Sequence, residues 1–332
     1  MNDFSDVLVI NDHARCGVFG EPVLWTYLIE DLGCRYADLR SMGAANVEDL
    51  REKVRARYLA AHERPRLVVQ NATFHPLFFP EIPTVAMLQD DFRTMGGCSV
   101  TQDPILDHAF SVVTNTQAVR SSYSERAWKT QVIPIGVDTW FWDEGPAVRS
   151  KRLAFVGDAT ATKGFALAAA VVEQLGFEWE VDWIFKRQNA SVPRGRVFVN
   201  VRREAVREIL QAASVMLVTS PVETQCIAAC EALACGAMVV SRPVGIFVGW
   251  NRPGAIVVPS PTAERLASAC LVADACRSEE PAAPRDALFA AELTREVTVA
   301  RWREVLSRAL EGGSAPCIAN SNPNAAADPT PT

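Results

Sequence analysis

The chain has 332 residues, of which 49% are hydrophobic and 22% are charged, as in an ordinary soluble globular protein. This length exceeds the size at which a single hydrophobic core usually stops growing, so we expect two domains. The formal net charge is -6, and no run of lysine or arginine is long enough to track a phosphate backbone. These features argue against general nucleic-acid binding.

The N-terminal stretch MNDFSDVLVI lacks a basic region and has only a strand-length apolar run, which is not the pattern of a signal peptide. No stretch of about 18 apolar residues predicts a transmembrane helix, and we expect a cytoplasmic protein. The nine cysteines include no pair with the CxxC spacing. We interpret them as small buried residues of a reducing compartment, and we predict no metal site.

Short β-branched runs alternate with helical stretches in the first part of the chain, as is typical of parallel α/β layers. The predicted strands are 6–10, 66–70, 84–88, 111–115 and 131–136, and the predicted helices lie near 22–32, 46–62 and 117–128. We therefore predict an α/β domain over residues 1–136, followed by an interdomain hinge at 137–151.

A second alternating series begins after the hinge. Its predicted strands are 152–157, 181–186, 196–200, 215–220, 237–241 and 255–259, and its predicted helices are 164–175, 203–213, 224–235 and 262–276. We predict a second α/β domain over 152–285 and a C-terminal helix over 286–311, which could pack back on the first domain. Residues 312–332 are rich in Gly, Pro, Asn and Ala, and we predict that they are disordered.

The segment ETQCIAACEALACGAMVVS, residues 223–241, carries two glutamates among small, mostly apolar residues. The preceding strand VMLVTS would deliver the chain to a helix beginning near Glu223, and a helix start beyond a parallel strand is an anion site. Glu231 would lie about 12 Å further along this helix. The two carboxylates could therefore accept hydrogen bonds from the sugar and ribose hydroxyls of a nucleotide diphosphate sugar. Alternatively, Glu223 caps the helix and Glu231 forms a salt bridge at its edge.

A second motif, FVGDATATKGF at residues 155–165, follows a predicted strand and leads into a helix. Lys163 lies where its ammonium could reach phosphates. The motif is not a Walker P-loop, because Gly157 and Lys163 have the wrong separation and Gly164 stands where Ser or Thr is required. A merely solvated lysine is the alternative.

The segments VIPIGVDTWFW, FVG-x5-KG and E-x7-E running into EALACGAMVVS occur in this order along the chain. Together they resemble the large retaining glycosyltransferase family of GT-B fold, group 1 or family 4-like. The resemblance covers residues 131–275 and is looser before them, where VLVINDHARCGVFG is similar to the family's first strand and glycine loop. It implies an α/β fold of two Rossmann-like α/β/α domains that face each other across a cleft.

The resemblance implies a role for each motif residue. Lys163 would contact the donor phosphates and stabilise the departing diphosphate, Glu223 would hold the transferred sugar, and Glu231 would bind the ribose. The implied donor-binding set is Gly17, Asp158, Lys163, Glu223, Thr224, Gln225, Cys226 and Glu231. The implied reaction retains the donor's anomeric configuration and needs neither a metal nor a permanently bound cofactor. As co-substrate we expect a UDP-sugar first and a GDP-sugar next.

The chain departs from the family pattern at several positions. Asp158 stands where relatives usually carry an arginine, and the cations that could compensate are Arg15, Arg187, Arg194, Arg202 and Arg242. Gln89 replaces a histidine and is followed by Asp90; we assign both as catalytic candidates, although glutamine cannot titrate. Glu223-Thr-Gln-Cys replaces E-G-F-G, so both glycines are lost. His75 is a candidate on the acceptor side.

Two other functions share these features. A non-catalytic nucleotide-sugar-binding protein would keep Lys163 and both glutamates without turnover, and a nucleotide-sugar epimerase would convert a donor without any acceptor. For a transferase, the acceptor could be a soluble metabolite, a natural-product aglycone or a modified nucleobase. A membrane-lipid acceptor is disfavoured, because no strongly basic amphipathic helix is evident. The sequence predicts no particular oligomeric state.

Overall fold

The computed structural model describes residues 4–11, 21–59, 64–72, 79–89, 103–145, 150–187 and 191–312. The chain divides into two units: the first comprises Met1–Gly136 with Arg295–Cys317, and the second comprises Val137–Thr294 with Ile318–Thr332. The predicted tail lies outside the described residues from position 313 onward. Among the described residues, no helix is both long enough and apolar enough to cross a membrane.

The first unit is built on a six-stranded sheet with the order β2-β1-β3-β4-β5-β6, in which every pairing is parallel. Its strands are β1 Val7–Ile10, β2 Arg35–Ala37, β3 Leu67–Asn71, β4 Thr84–Leu88, β5 Ser111–Thr114 and β6 Thr130–Val132. Its helices are α1 Glu21–Thr26, α2 Val47–Leu59, α3 Asp103–His108, α4 Gln117–Ser122 and α10 Arg295–Leu310. A π-helical turn, Tyr27–Asp31, extends α1. Strands β1, β3 and β4 are fully buried, as expected of a parallel sheet covered on both faces.

Helix α10 is joined to the rest of the first unit by polar contacts and by one large buried side chain. The Arg295 guanidinium donates to both oxygens of Asp31, at 2.9 and 2.8 Å. The Thr298 hydroxyl accepts from the Gly136 backbone N–H and donates to the Pro134 carbonyl, each at 2.8 Å. Trp302 is fully buried. The last described helix is therefore a structural part of the first unit.

The second unit has a six-stranded parallel sheet with the order β12-β11-β10-β7-β8-β9. Its strands are β7 Arg152–Val156, β8 Glu180–Phe185, β9 Arg196–Val199, β10 Val215–Val218, β11 Met238–Ser241 and β12 Ala255–Val257. Its helices are α5 Phe165–Gln174, α6 Arg203–Ala212, α7 Ile227–Ala234, α8 Ala263–Glu279 and α9 Ala283–Ala290. This is the doubly wound Rossmann order, whose topological switch point lies between the first and fourth strands of the unit, β7 and β10. Ligands of such sheets bind beyond the carboxyl ends of these two strands.

Two features of the second unit fix the elements beside its switch point. Four aromatic rings, Phe155, Phe165, Trp183 and Phe185, pack against one another with centroids 5.4 to 6.4 Å apart and tie β7 and β8 to α5. Helix α7 is made mostly of small buried residues. At its carboxyl end, Arg277 donates to the Gly236 carbonyl and Arg285 donates to the Ala234 carbonyl at 3.1 Å. These cations offset the negative end of the helix dipole.

The predicted α/β fold is confirmed, whereas several predicted boundaries are wrong. The predicted strand 131–136 ends at Val132, and Pro134 follows, which has no N–H to donate to a ladder. The predicted C-terminal helix is two helices, α9 and α10, separated by Glu292 at a φ of 56°. The predicted helix near 117–128 ends at Ser122 and continues as a 3-10 segment, Ser124–Lys129. Strand β2 and helix α3 were missed.

Candidate functional site

The switch point of the second unit brings the loop after β7 and the loop after β10 into contact. The ammonium Nζ of Lys163, from the first loop, donates to Oε1 of Glu223, from the second, at 2.6 Å. The Lys163 side chain is 39% exposed and that of Glu223 is 14% exposed. Two residues that the sequence assigns to the donor site, and that lie far apart in the chain, are therefore direct neighbours.

Two glycines allow the Lys163 side chain to lie at this position. Gly164 has a φ of 65°, and a Cβ built there would be 2.1 Å from the Thr219 carbonyl oxygen. A Cβ at Gly157 would be 3.1 Å from Cγ of Lys163, so the lysine stem runs across the glycine. The Thr219 hydroxyl also donates to the Lys163 carbonyl at 3.0 Å. The two loops are thus packed backbone to backbone at Gly164, whereas a side chain at Gly157 would press on the stem of Lys163.

The local charges keep Lys163 protonated. Burial opposes the charge of its ammonium, but the Glu223 carboxylate outweighs that effect, and the pKa of Lys163 is raised above its ordinary value. The carboxylate of Asp158 acts in the same direction. Lys163 is therefore a permanent cation at neutral pH and can pair with a second anion.

The helix after the glutamate begins later than the sequence predicts. Helix α7 starts at Ile227, so Glu223, Thr224 and Gln225 lie in the loop before it, and the prediction of two carboxylates about 12 Å apart on one helix is wrong. Cys226 precedes the helix in the left-handed conformation, with a φ of 72°. This conformation costs an L-residue about 1 to 2 kcal/mol and is normally adopted by glycine. Cys226 stands where the resemblance has its second glycine, and the backbone keeps the shape that glycine would take.

The loop that carries Glu223 is held in place by its buried residue Gln225. The Gln225 side chain is 1% exposed, and its backbone carbonyl accepts a hydrogen bond from the Ile246 N–H at 3.2 Å. Thr224 is half-buried beside it. Burial, followed by the charge of Glu223, raises the pKa of the Cys226 thiol well above its ordinary value. This cysteine is therefore a packing residue rather than a thiolate nucleophile.

Glu231 lies within α7 and is buried, with 8% of its surface exposed. Burial raises the pKa of its carboxyl to about 8, and the charge of Arg203 offsets this only in part. Within the described part of the chain, the carboxyl has neither a hydrogen-bond partner nor an ion-pair partner. The alternative of a salt bridge at the helix edge has no support among these residues, and the carboxyl is available to a ligand.

Arg203 is the cation whose charge lowers the pKa of Glu231, and it was not identified as a site residue from the sequence. Its guanidinium carbon lies 4.4 Å from the ring centroid of Phe141 and 5.1 Å from that of Trp142. Such stacking restrains a guanidinium without neutralising it. The aromatic run in GVDTWFW was the available signal, but only the fold places that run beside α6.

Asp158, which replaces the family's arginine, interacts with the loop after β8. Its Oδ1 accepts a hydrogen bond from the Arg187 backbone N–H at 2.8 Å, and its Oδ2 lies 4.0 Å from Nε of Arg187. Two other candidate cations have different partners. Arg194 donates to four backbone carbonyls, and Arg242 donates to the Thr219 carbonyl at 3.4 Å. Arg202 precedes α6, and Arg15 lies outside the described residues.

Four further predicted residues belong to the first unit: the donor-binding candidate Gly17, the catalytic candidates Gln89 and Asp90, and the acceptor-side candidate His75. Gln89 follows β4 and is buried, and its side-chain nitrogen has no hydrogen-bond partner among the residues that the structure describes. Gly17, His75 and Asp90 lie outside the described residues. The roles proposed for these four residues remain predictions.

Two doubly wound α/β units in one chain define the GT-B class of fold, and comparison with solved structures agrees. Sucrose-phosphate synthase from Thermosynechococcus elongatus has a TM-score of 0.72 at 14% identity, covering 92% of this chain and 99% of that one. HepE from Anabaena, in complex with UDP-glucose, has a TM-score of 0.70 at 14% identity, covering 91% and 99%. AviGT4, a glycosyltransferase of avilamycin A biosynthesis, has a TM-score of 0.61 at 16% identity, covering 92% and 98%.

Residues 139–273 match the model of the family described as Glycosyl transferases group 1. The matched segment contains Lys163, Glu223 and Glu231, so the predicted resemblance to this family is confirmed where the candidate donor site lies. A comparison with curated protein sequences found no significant match.

Proposed function

We propose that the protein is a retaining glycosyltransferase that moves a sugar from a nucleotide diphosphate donor to an acceptor without a metal ion. The observation that carries this proposal is the contact between Lys163 and Glu223 at the switch point of the second sheet, beside the start of α7. A charged lysine and free helix N–H groups suit a diphosphate. The family match over residues 139–273 supports a glycosyl donor.

In the proposed reaction, an acceptor oxygen forms a bond to the anomeric carbon while the bond from that carbon to the diphosphate breaks. The bonding electron pair leaves with the diphosphate, where Lys163 stabilises the new charge. The acceptor proton passes to a leaving phosphate oxygen on the same face of the sugar. Glu223 holds the transferred sugar through its hydroxyls, and Glu231 accepts hydrogen bonds from the ribose. The chain supplies positioning and charge rather than a nucleophile.

Nucleotide binding tests the donor half of this proposal. Thermal stability would be measured with UDP, GDP, ADP and dTDP, each alone and as a common sugar conjugate, on the wild type, Lys163→Ala and Glu231→Ala. A ligand at about 100 times its dissociation constant stabilises the native state by about 2.7 kcal/mol. UDP is expected to give the largest shift. Lys186→Ala is the matched control, because Lys186 is an exposed cation at the end of β8.

Selective stabilisation that is lost in Lys163→Ala and Glu231→Ala but kept in Lys186→Ala would support the proposal. Equal stabilisation of all four proteins would place the nucleotide elsewhere and contradict it. If no nucleotide stabilised the folded wild type, the proposed donor binding would be contradicted, and only the assignment of the fold would stand.

A non-catalytic nucleotide-sugar-binding protein is the second candidate. It is favoured by Gln89, which cannot take up or release a proton where the resemblance has a histidine. Slow donor hydrolysis separates the two candidates, because a pure binding protein releases no nucleoside diphosphate from a bound nucleotide sugar. Measurable release that Lys163→Ala abolishes would establish turnover.

A further inference from the structure

The loop after β8 begins beside the loop that carries Lys163. Strand β8 pairs with β7 in register, with Val156 opposite Ile184, and the Gly157 N–H donates to the Ile184 carbonyl at 3.0 Å. The chain then leaves β8 so that the Arg187 N–H reaches the Asp158 carboxylate at 2.8 Å. The position of Arg187 is therefore set by the pairing of the two strands and by one carboxylate.

Four charged side chains at this edge of the sheet form two ion pairs, Lys163 with Glu223 and Arg187 with Asp158. Lys163 and Arg187 are the cations, and Glu223 and Asp158 are the carboxylates beside them. Lys163 already has Glu223 at 2.6 Å, so its charge is partly neutralised before any ligand arrives. A diphosphate anion at this place would need a second cation.

Arg187 differs from Arg194 and Arg242, two of the other cations considered for this role. Its side chain is 82% exposed, and Asp158 is its ion-pair partner within the described part of the chain. Arg194 is held by the carbonyls at the end of α5, and Arg242 by the carbonyl of Thr219. An exposed guanidinium, anchored through its own backbone, can turn its planar fork toward phosphate oxygens at a small entropic cost.

We propose that Arg187 is the second cation of the donor-diphosphate site and that Asp158 is the residue that positions it. This inference rests on the proposed function. The aspartate that replaces the family's arginine then holds an arginine from the neighbouring strand instead of repelling the donor.

Removal of Asp158 gives effects of opposite sign under the two explanations. If Asp158 only repels the donor, Asp158→Ala tightens binding of a diphosphate, because an adjacent negative charge is gone. If it positions Arg187, Asp158→Ala weakens binding although the protein becomes less negative. In an Arg187→Ala background only the repulsion is left, so adding Asp158→Ala should tighten binding. This reversal of sign is the signature of the proposal.

The experiment is titration of UDP, inorganic pyrophosphate and uridine into wild type, Arg187→Ala, Arg187→Lys, Asp158→Ala, the double variant and Lys186→Ala. We expect Arg187→Ala to weaken UDP and pyrophosphate about tenfold, Arg187→Lys to weaken them less, and uridine to be unaffected. Lys186→Ala makes the same charge change one residue away and should leave all three affinities within about twofold.

Tighter binding by Asp158→Ala in the wild-type background, or unchanged binding by Arg187→Ala, would overturn the inference. If Lys163→Ala weakened UDP binding while Arg187→Ala left it unchanged, the proposed function would stand without the inference. If the folded wild type bound neither UDP nor pyrophosphate, both the inference and the proposed function would fail.

Discussion

The Lys163 ammonium and the Glu223 carboxylate lie 2.6 Å apart and join the two loops at the switch point of the second sheet. In this arrangement the lysine has an anionic partner before a ligand arrives. A diphosphate must therefore share or displace that carboxylate. In the proposed reaction the two residues serve neighbouring parts of one donor, the phosphates and the sugar.

Replacement of Glu223 by glutamine should separate binding from transfer. Glu223→Gln frees the lysine from an opposing charge, and we expect UDP to bind about threefold more tightly, because the pair is partly exposed and its energy is modest. Transfer from the nucleotide sugar should fall at least about tenfold, because the sugar loses a charged hydrogen-bond acceptor. Calorimetry with UDP and a transfer or hydrolysis assay give the two readings. Weaker UDP binding by a correctly folded Glu223→Gln would contradict this account of the pair.

Glu231 should make stability fall as the pH rises. Its carboxyl has a pKa of about 8 in the folded chain and an ordinary value of 4.5, so between these values the folded state keeps a proton that the unfolded state has lost. The free energy of unfolding then decreases with pH across this window. Glu231→Gln removes the effect and should be more stable than wild type at pH 8, by on the order of 3 kcal/mol, with little difference near pH 5.

Chemical denaturation of both proteins across this pH range measures the difference. A stability gap that is the same at both ends of the range would show that Glu231 does not titrate there.

A methyl group at Gly164 should disturb the site as well as the backbone. Its Cβ would lie 2.1 Å from the Thr219 carbonyl oxygen, in addition to the strain of a φ of 65°. Gly249 has a φ of 72° with open space around it, so Gly249→Ala costs the strain alone, about 1 kcal/mol. We expect Gly164→Ala to cost about 2 kcal/mol more and to weaken UDP binding, because Lys163 must move.

Gly164 and Gly249 both lie in the second unit of the chain. Thermal melts and UDP titrations of Gly164→Ala and Gly249→Ala therefore measure this difference directly. Equal losses of stability would mean that the loop holding Lys163 yields without displacing Thr219. Unchanged UDP affinity in Gly164→Ala would mean that the lysine keeps its place despite the shift.

The position of Cys226 should favour glycine over alanine, the reverse of the preference inside a helix. Its left-handed backbone strains every residue with a Cβ, so Cys226→Gly should be more stable than Cys226→Ala by about 1 kcal/mol. Within α7, Ala229→Gly should show the opposite order and lose about 1 kcal/mol against alanine. Denaturation midpoints of the three variants test the prediction. A Cys226→Ala protein as stable as Cys226→Gly would show that the backbone relaxes when the thiol is removed.

Much of the fold follows from local pattern. The strand Thr84–Leu88 has the predicted bounds, because Pro83 precedes a fully buried apolar run. Strand β2 was missed since Arg35–Ala37 is short and only partly buried, and neither feature makes a periodic signal. The start of α7 was predicted too early because nothing in the residue type of Cys226 announces a positive φ.

The candidate site follows from the sequence only in part. Lys163 and Glu223 could be assigned from their motifs, but their contact depends on the order of strands β7 and β10 in the sheet. The partner of Asp158 depends on the register between β7 and β8, which brings residues almost thirty positions apart together. Five arginines were equivalent in the sequence, and only the three-dimensional arrangement distinguishes Arg187 from Arg194 and Arg242.

The division of the chain also bears on how the protein is made. The described residues of the second unit all lie within Val137–Thr294, whereas the first unit includes α10 in addition to its first 136 residues. On a ribosome, every described strand and helix of the second unit is synthesised before the first unit receives α10 and the buried Trp302. Nascent chains that stop at residue 294 should therefore contain a folded second unit beside a first unit with an open apolar face, which is a substrate for chaperones.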